Sequence, residues 1–261
     1  MFKEPKKINK NKLHDFFKSK KLDDIYKLRN LPDESVNSLH VNKPYKPELD
    51  DLYRLYELIK INKRTTVLEF GCGWSSLVIS LALSELKKKH QIQNLRRNNP
   101  FELFIVDNEK KYLKLTKTKI LKNKKKLNLT NINHFIYSEV NMTLFKGVIS
   151  TEYKKLPICS PDFIYLDGPD QFKIKGNVNG INLNHNDMMP IACDLIKIEY
   201  LLTPGTMIVV DGRTANARFL KDHFRRKWYY RYYEKYDQHI FYLNEKPLGK
   251  FNKNQLEFYK I

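Results

Sequence analysis

Cysteine is scarce in this chain. The three it has among 261 residues, Cys72, Cys159 and Cys193, are odd in number, far apart and without Cys-x-x-Cys spacing. That excludes a disulfide framework and offers no zinc pattern, so small buried thiols in a reducing compartment are expected. Long apolar runs are missing too, none approaching the roughly 18 residues that a membrane-spanning helix requires. The opening MFKEPKKINKNKLHDFFKSKKLDD holds bases but no apolar stretch of signal-peptide length, so export is not expected and the cytoplasm is the expected location. Acid is in short supply: 48 Lys and Arg face 29 Asp and Glu, a formal charge of +19. Such an excess suits a polyanionic partner, either nucleic acid or an anionic membrane surface. Most of it is lysine, which a nucleotide bias in the coding genome also produces alongside Asn, Ile, Tyr and Phe. It is spread over faces such as 110–126 rather than supplied by the arginine that reads bases and phosphates bidentately. Nucleic-acid binding is therefore the less favoured reading.

What is present is one α/β pattern with additions. Residues 1–45 are basic and polar, with Pro32 and Pro44, and are expected to form an arm or helical cap. Residues 46–261 are expected to form the main domain. After Pro47, ELDDLYRLYELIKINK puts Leu49, Leu52, Leu55, Tyr56 and Ile59 on one helical stripe. The runs TTVLEF, ELFIVD, NHFIYS, DFIYLD and GTMIVVD follow, each short, β-branched or aromatic and closed by a polar residue. They predict parallel strands buried on both faces. Crossover helices are expected over 75–89, 109–126, 188–202 and 214–225. KWYYRYYEKYDQHIFYLNE predicts two antiparallel aromatic strands about a tight Lys-Tyr-Asp-Gln connection. The fold class is a doubly wound α/β sheet, helices on both faces.

In such a sheet, ligands bind beyond the carboxyl ends of the strands. Those ends carry Glu69-Phe70-Gly71-Cys72-Gly73, Asp107-Asn108, Ser138-Glu139, Asp167-Gly168 and Asp211-Gly212. Gly71 and Gly73 permit a tight turn with backbone close to a ligand, and Ser75 and Ser76 can cap the next helix. Asp107 is placed to accept from two ribose hydroxyls. The dinucleotide fingerprint is incomplete: Ser76 stands at its third glycine, and Glu69 precedes the first. A carboxylate there suits a cationic or zwitterionic cofactor better than a pyrophosphate, which disfavours a nicotinamide-dependent oxidoreductase.

VLEFGCG, FIVD, DFIYLDGP and LLTPGTMIVVDG, in that order and ahead of the aromatic pair, resemble the motifs of the class I S-adenosylmethionine-dependent methyltransferases over about residues 50–245. YLDGPD with PGTMIVVDGRTANARFL looks like an uncharacterised branch, near enzymes acting on small molecules or sugars. The resemblance implies a Rossmann-like, mostly parallel seven-stranded sheet with an antiparallel last strand, and S-adenosyl-L-methionine as cofactor. It implies that Glu69, Gly71, Gly73 and Ser75 line the methionine part. Asp107 and Asn108 would serve the ribose, and Ser138 and Glu139 would approach the adenine, with Asp167 beside the methyl group. The activity implied is O-methylation of a small-molecule or sugar hydroxyl. The alternative is a methyltransferase or non-catalytic protein that binds RNA or DNA through its basic surface, although the fourth strand ends in LDGPD and not in an Asn-Pro-Pro-Tyr base-methylation motif.

Asp167 is the first candidate for a catalytic base. His185, with Asp187 in QFKIKGNVNGINLNHND, is a second, on a polar loop long enough to act as a lid. Asp211 and Arg213 complete the catalytic candidates, Arg213 either as an ion-pair partner of Asp167 or as a grip on an anionic substrate. Asp167 with Asp211 is similar to the metal-binding strand ends of the catechol-type O-methyltransferases. Gly212 stands where those enzymes have Asn, so a divalent ion on these two acids is not the favoured expectation. Asp194 and Glu199 are expected to be surface or structural.

Overall fold

The computed structural model describes residues 2–28, 46–90, 101–185 and 187–260. The loop expected over 91–100 and the stretch with Pro32 and Pro44 lie outside them. Five parallel strands form the core of the sheet: β1 (Thr66–Phe70), β2 (Glu102–Asp107), β3 (Ile132–Tyr137), β6 (Phe163–Leu166) and β8 (Met207–Asp211). The final pair is β9 (Trp228–Tyr233) and β10 (Gln238–Leu243), and the sheet order is β3-β2-β1-β6-β8-β10-β9. β10 runs antiparallel to both of its neighbours and the other six strands share one direction. This is the doubly wound, seven-stranded fold that the motifs imply, with β1 and β6 flanking the point where strand order reverses.

Alternation along the strands divides the core in two. Val67, Leu103, Ile105, Phe163, Tyr165, Met207 and Val209 face one side with α3 (Leu49–Ile61) and α4 (Trp74–His90). Leu68, Phe70, Val106, Ile164, Leu166, Ile208 and Val210 face the other. The basic N-terminal stretch supplies two helices, α1 (Lys10–Ser19) and α2 (Asp23–Lys27), whose Leu13, Phe17 and Ile25 join the first core. Phe16 of α1 packs on Tyr53 and Tyr56 of α3 at ring separations of 5.0 and 5.1 Å.

The structure departs from the expected pattern in three places. β3 is not buried on both faces: it is the sheet's edge, and its side chains are half-buried to exposed. No long helix covers 188–202. Beyond Pro190, Thr151 N–H donates to Ile191, Cys193 N–H donates to Thr151, and the Asn216 amide pairs with both backbone groups of Ala192. With these groups satisfied laterally, only α6 (Asp194–Lys197) and a 3₁₀ turn at Glu199–Leu201 remain helical. Asp194 and Glu199 are buried and structural, Asp194 accepting from Tyr153 N–H and Glu199 from the backbone N–H groups of Arg225 and Arg226 and from the Trp228 indole.

The third departure is a second sheet in the order β5-β4-β7, made of β4 (Val140–Phe145), β5 (Val148–Tyr153) and β7 (Ile174–Lys175). Lys146 and Gly147, both left-handed (φ +50° and +81°), close the β4–β5 hairpin. Pairing of β7 with β4 at Val140 and Asn141 draws the 171–187 segment toward this sheet. α5 (Lys110–Asn123), α7 (Thr214–His223) and α8 (Gly249–Lys260) complete the elements. Among the described residues, no helix is long and apolar enough to cross a membrane.

Candidate active site

The ends of β1 and β6 touch backbone to backbone. Gly71 is left-handed (φ +93°), and a Cβ on it would lie 3.1 Å from the Asp167 carbonyl and Gly168 N; a Cβ on Gly168 would lie 2.5 Å from Gly71 N. These two glycines are explained by that contact. Gly73 differs: a Cβ there meets nothing within 4 Å. Its bare face opens on a cavity of about 340 Å³ above the switch point.

That cavity gathers side chains from separate parts of the chain. Gly73 and Ser75 come from the start of α4, Asp167 from the end of β6, and Asp211 from the end of β8. α3 and the residues before it add Glu48 and Asp51, α5 adds Thr116 and Lys119, and the β9–β10 connection adds Tyr236 and Asp237. Sequence reasoning missed the last three groups. The acids at the start of α3 were visible as helix-dipole partners, and Tyr236 and Asp237 as turn residues, but neither signal points to a ligand.

Glu69 does not line the cavity. It is fully buried beneath the start of α4, its two carboxylate oxygens accepting from the Ser75 and Ser76 hydroxyls at 2.6 Å each. Burial pushes its pKa up to about 8 against the pull of those serines. An acid raised from 4.5 to about 8 keeps its proton longer when folded than when unfolded. Its contribution to stability is therefore complete below pH 4.5 and is lost as pH rises through 8. Glu69→Gln is expected to match wild type near pH 5 and to melt higher at pH 8.5; parallel melting profiles across that range would refute this.

Asp107 is also closed off. It is 4% exposed, accepts from Glu109 N–H at 2.6 Å and bonds the Cys72 thiol, so it meets the cavity only through Cys72, which lines the wall. Burial raises its pKa to about 6. Asn108 exchanges two hydrogen bonds with the Asp170 backbone, both of 2.9 Å. Ser138 is buried and accepts from Lys155 N–H, and Glu139 pairs with Lys175 at 2.5 Å. His185 stands away from the wall, its side chain 66% exposed and its Nδ1 accepting from Asp187 N–H. None of the described residues of the 171–187 segment lines the cavity, so the lid expected there is not seen over it.

The acids that do reach the cavity are crowded. The Tyr165 hydroxyl donates to Asp211, and Gln238, wholly buried, bonds Asp211 and donates Nε2 to Asp51 at 3.2 Å while accepting from Arg54 Nε at 2.9 Å. Burial raises the pKa of both Asp51 and Asp211, and Asp211 raises Asp51 further. Asp167 lines the cavity beside Arg213, with 53% of its side chain meeting solvent. Arg213 stabilises the turn after β6, donating Nη2 to the carbonyls of Asp167 and Pro169 at 2.7 and 3.1 Å, with Nε 3.8 Å from the Asp167 carboxylate. Among the described residues, no group of three or more His, Cys, Asp or Glu side chains could hold a metal ion.

No family model matches the chain, and no curated protein does. Among solved structures, the O-methyltransferase TomG of Streptomyces achromogenes, in complex with SAM, aligns over 92% of this chain and all of its own, at 13% identity and a TM-score of 0.40. An O-methyltransferase from Bacillus cereus in complex with SAH aligns over 89% of this chain and all of its own, at 13% identity and a TM-score of 0.40. The SAH-bound methyltransferase PaMTH1 of Podospora anserina aligns over 94% and all of its own, at 12% identity and a TM-score of 0.43. Likeness this distant assigns neither cofactor nor substrate.

Proposed function

We propose that the chain is an S-adenosylmethionine-dependent methyltransferase that methylates a hydroxyl of a small molecule or sugar. The observation that carries this reading is the cavity at the switch point, where bare Gly73 at the start of α4 faces Asp167 and Asp211. Gly73 and Ser75 would take the methionine part of the cofactor, and the Cys72–Asp107 pair lies next to it on the ribose side. The fit is good at the methionine end. At the ribose end the Cys72 thiol must yield for Asp107 to accept from hydroxyls.

When bound, the cofactor supplies an electrophilic methyl group whose C–S electron pair leaves with sulfur. The protein has to align the acceptor oxygen behind that methyl, exclude water and remove a proton. Asp167 suits the last task by position, its carboxyl standing on the cavity wall at the end of β6. Arg213 then acts on Asp167 through position, by fixing the turn that carries it. Tyr165 and Gln238 similarly fix Asp211.

Saturating S-adenosylhomocysteine is expected to raise the melting temperature by about 5 °C or more at 100-fold excess over its Kd. Asp107→Asn should remove most of that shift. Absence of any shift in the wild-type protein would sink the cofactor assignment.

A further inference from the structure

A second cavity, of about 320 Å³, lies beside the first, and Trp74, Leu115 and Lys119 line both. Small-molecule sites span roughly 300–1,000 Å³, so its size is sufficient for a small ligand. One wall is α2 with the turn before it, a second is the start of α4, and a third is α5 with the turn after it. Two properties of this lining are independent of each other. The floor is apolar: Leu22, Ile25 and Leu77 are buried beneath it, Trp74 is half-buried, and Leu115 is left 43% exposed. The rim is basic, with Lys21, Lys119, Lys122 and Lys126 against Asp24 alone. Asp24 pairs with Lys126 at 3.0 Å, so the lining keeps the positive charge of the other three lysines. Lys119 is half-buried over the Trp74 face, 3.5 Å from the ring centroid, and burial lowers its pKa to about 8. A desolvated ammonium gains more from an anion beside it than an exposed one does.

The floor rewards burial of an apolar body and the rim rewards negative charge, so a ligand that has both is held better than one with either alone. We infer that this second cavity binds a small apolar acid, an alkyl or aryl carboxylate, with its body on Trp74, Leu77 and Leu115 and its carboxylate among Lys21, Lys119 and Lys122. Lysine supplies point charge without the planar fork of arginine, so the site selects by sign and by apolar body and not by bidentate geometry. The inference stands apart from the methyltransferase reading, because none of the residues given a cofactor or catalytic role lines this cavity.

Trp74 is one of two tryptophans in the chain, so Trp228→Phe makes it the sole indole reporter. Titration of that full-length variant at pH 7 with octanoate, octanol, octylammonium and acetate varies body and charge separately. Octanoate is expected to change the Trp74 fluorescence and to bind about threefold or more tighter than octanol, with octylammonium weaker than both and acetate without effect. Thermal melts of the unsubstituted chain with the same four compounds should give the same order, which reads the site without the Trp228 change. Lys122 lines the second cavity and not the first, so Lys122→Glu places the effect. It should weaken octanoate about threefold or more and leave octanol unchanged, a contrast that altered folding would not produce. No octanoate binding, equal binding of the three octyl compounds, a preference for octylammonium, an acetate response equal to that of octanoate, or octanoate affinity unaltered by Lys122→Glu overturns the inference.

Discussion

Gly73→Val is expected to weaken cofactor binding at least tenfold while leaving the fold intact. Gly73 has no neighbour within 4 Å of its would-be Cβ and no left-handed strain, so the free protein has room for a side chain. Stability should change by no more than about 0.5 kcal/mol, a melting shift of under ~2 °C. The same volume is where the backbone must approach the methionine part of the cofactor. Filling it is expected to weaken S-adenosylhomocysteine at least tenfold, about 1.4 kcal/mol. Gly71→Ala makes the contrast. Its φ of +93° and its 3.1 Å approach to the β6 end predict a loss of stability, about 1–3 kcal/mol, whether or not ligand is present. Titration calorimetry paired with thermal melts separates the two cases. A Gly73→Val protein that binds as tightly as wild type would place the cofactor elsewhere.

The largest loss of stability is expected from Asp162→Ala. Asp162 is 1% exposed just before β6 and accepts from the backbone N–H groups of Thr65 and Thr66 at 2.9–3.0 Å, from the Thr65 hydroxyl at 2.7 Å and from the Tyr259 hydroxyl at 2.8 Å. One carboxylate thus ties the entry of β1 to β6 and to α8. Alanine leaves those donors buried without an acceptor, at a cost of about 3–5 kcal/mol, a large share of a typical domain's stability. Asp162→Asn retains one acceptor oxygen and should lose less. Urea unfolding measures both, and a loss below about 1 kcal/mol for alanine would contradict the assigned role.

The frame of this fold was legible because its signals are local. Runs such as TTVLEF and GTMIVVD have strand composition whatever surrounds them, and the stripe from Leu49 to Ile59 is helical by spacing alone. Contributions that depend on distant partners were not legible. Residues 188–202 have helical length, but Asn216 and Thr151 bond the backbone groups of 191–193 and delay the helix to Asp194. The β4–β5 hairpin turns on Lys146-Gly147, which is weaker as a signal than Asn-Gly or Asp-Gly.

The site divided in the same way. Gly73, Ser75, Asp167 and Asp211 follow from strand-end logic and do reach the cavity. Glu69 and Asp107 obey that logic too, but Ser75 and Ser76 close over the first and Cys72 over the second. Asp51 lies far from any strand end in sequence, and the packing of α3 on α4 with the Gln238 bonds to Asp51 and Arg54 brings it to the wall.

Hydrogen–deuterium exchange with and without saturating S-adenosylhomocysteine tests the central claim most directly, because it reports both binding and location. Protection should concentrate in peptides covering 71–77 and 165–170, with little change in the 140–153 hairpin. No protection, or protection confined to segments away from Gly73 and Asp167, would contradict the account.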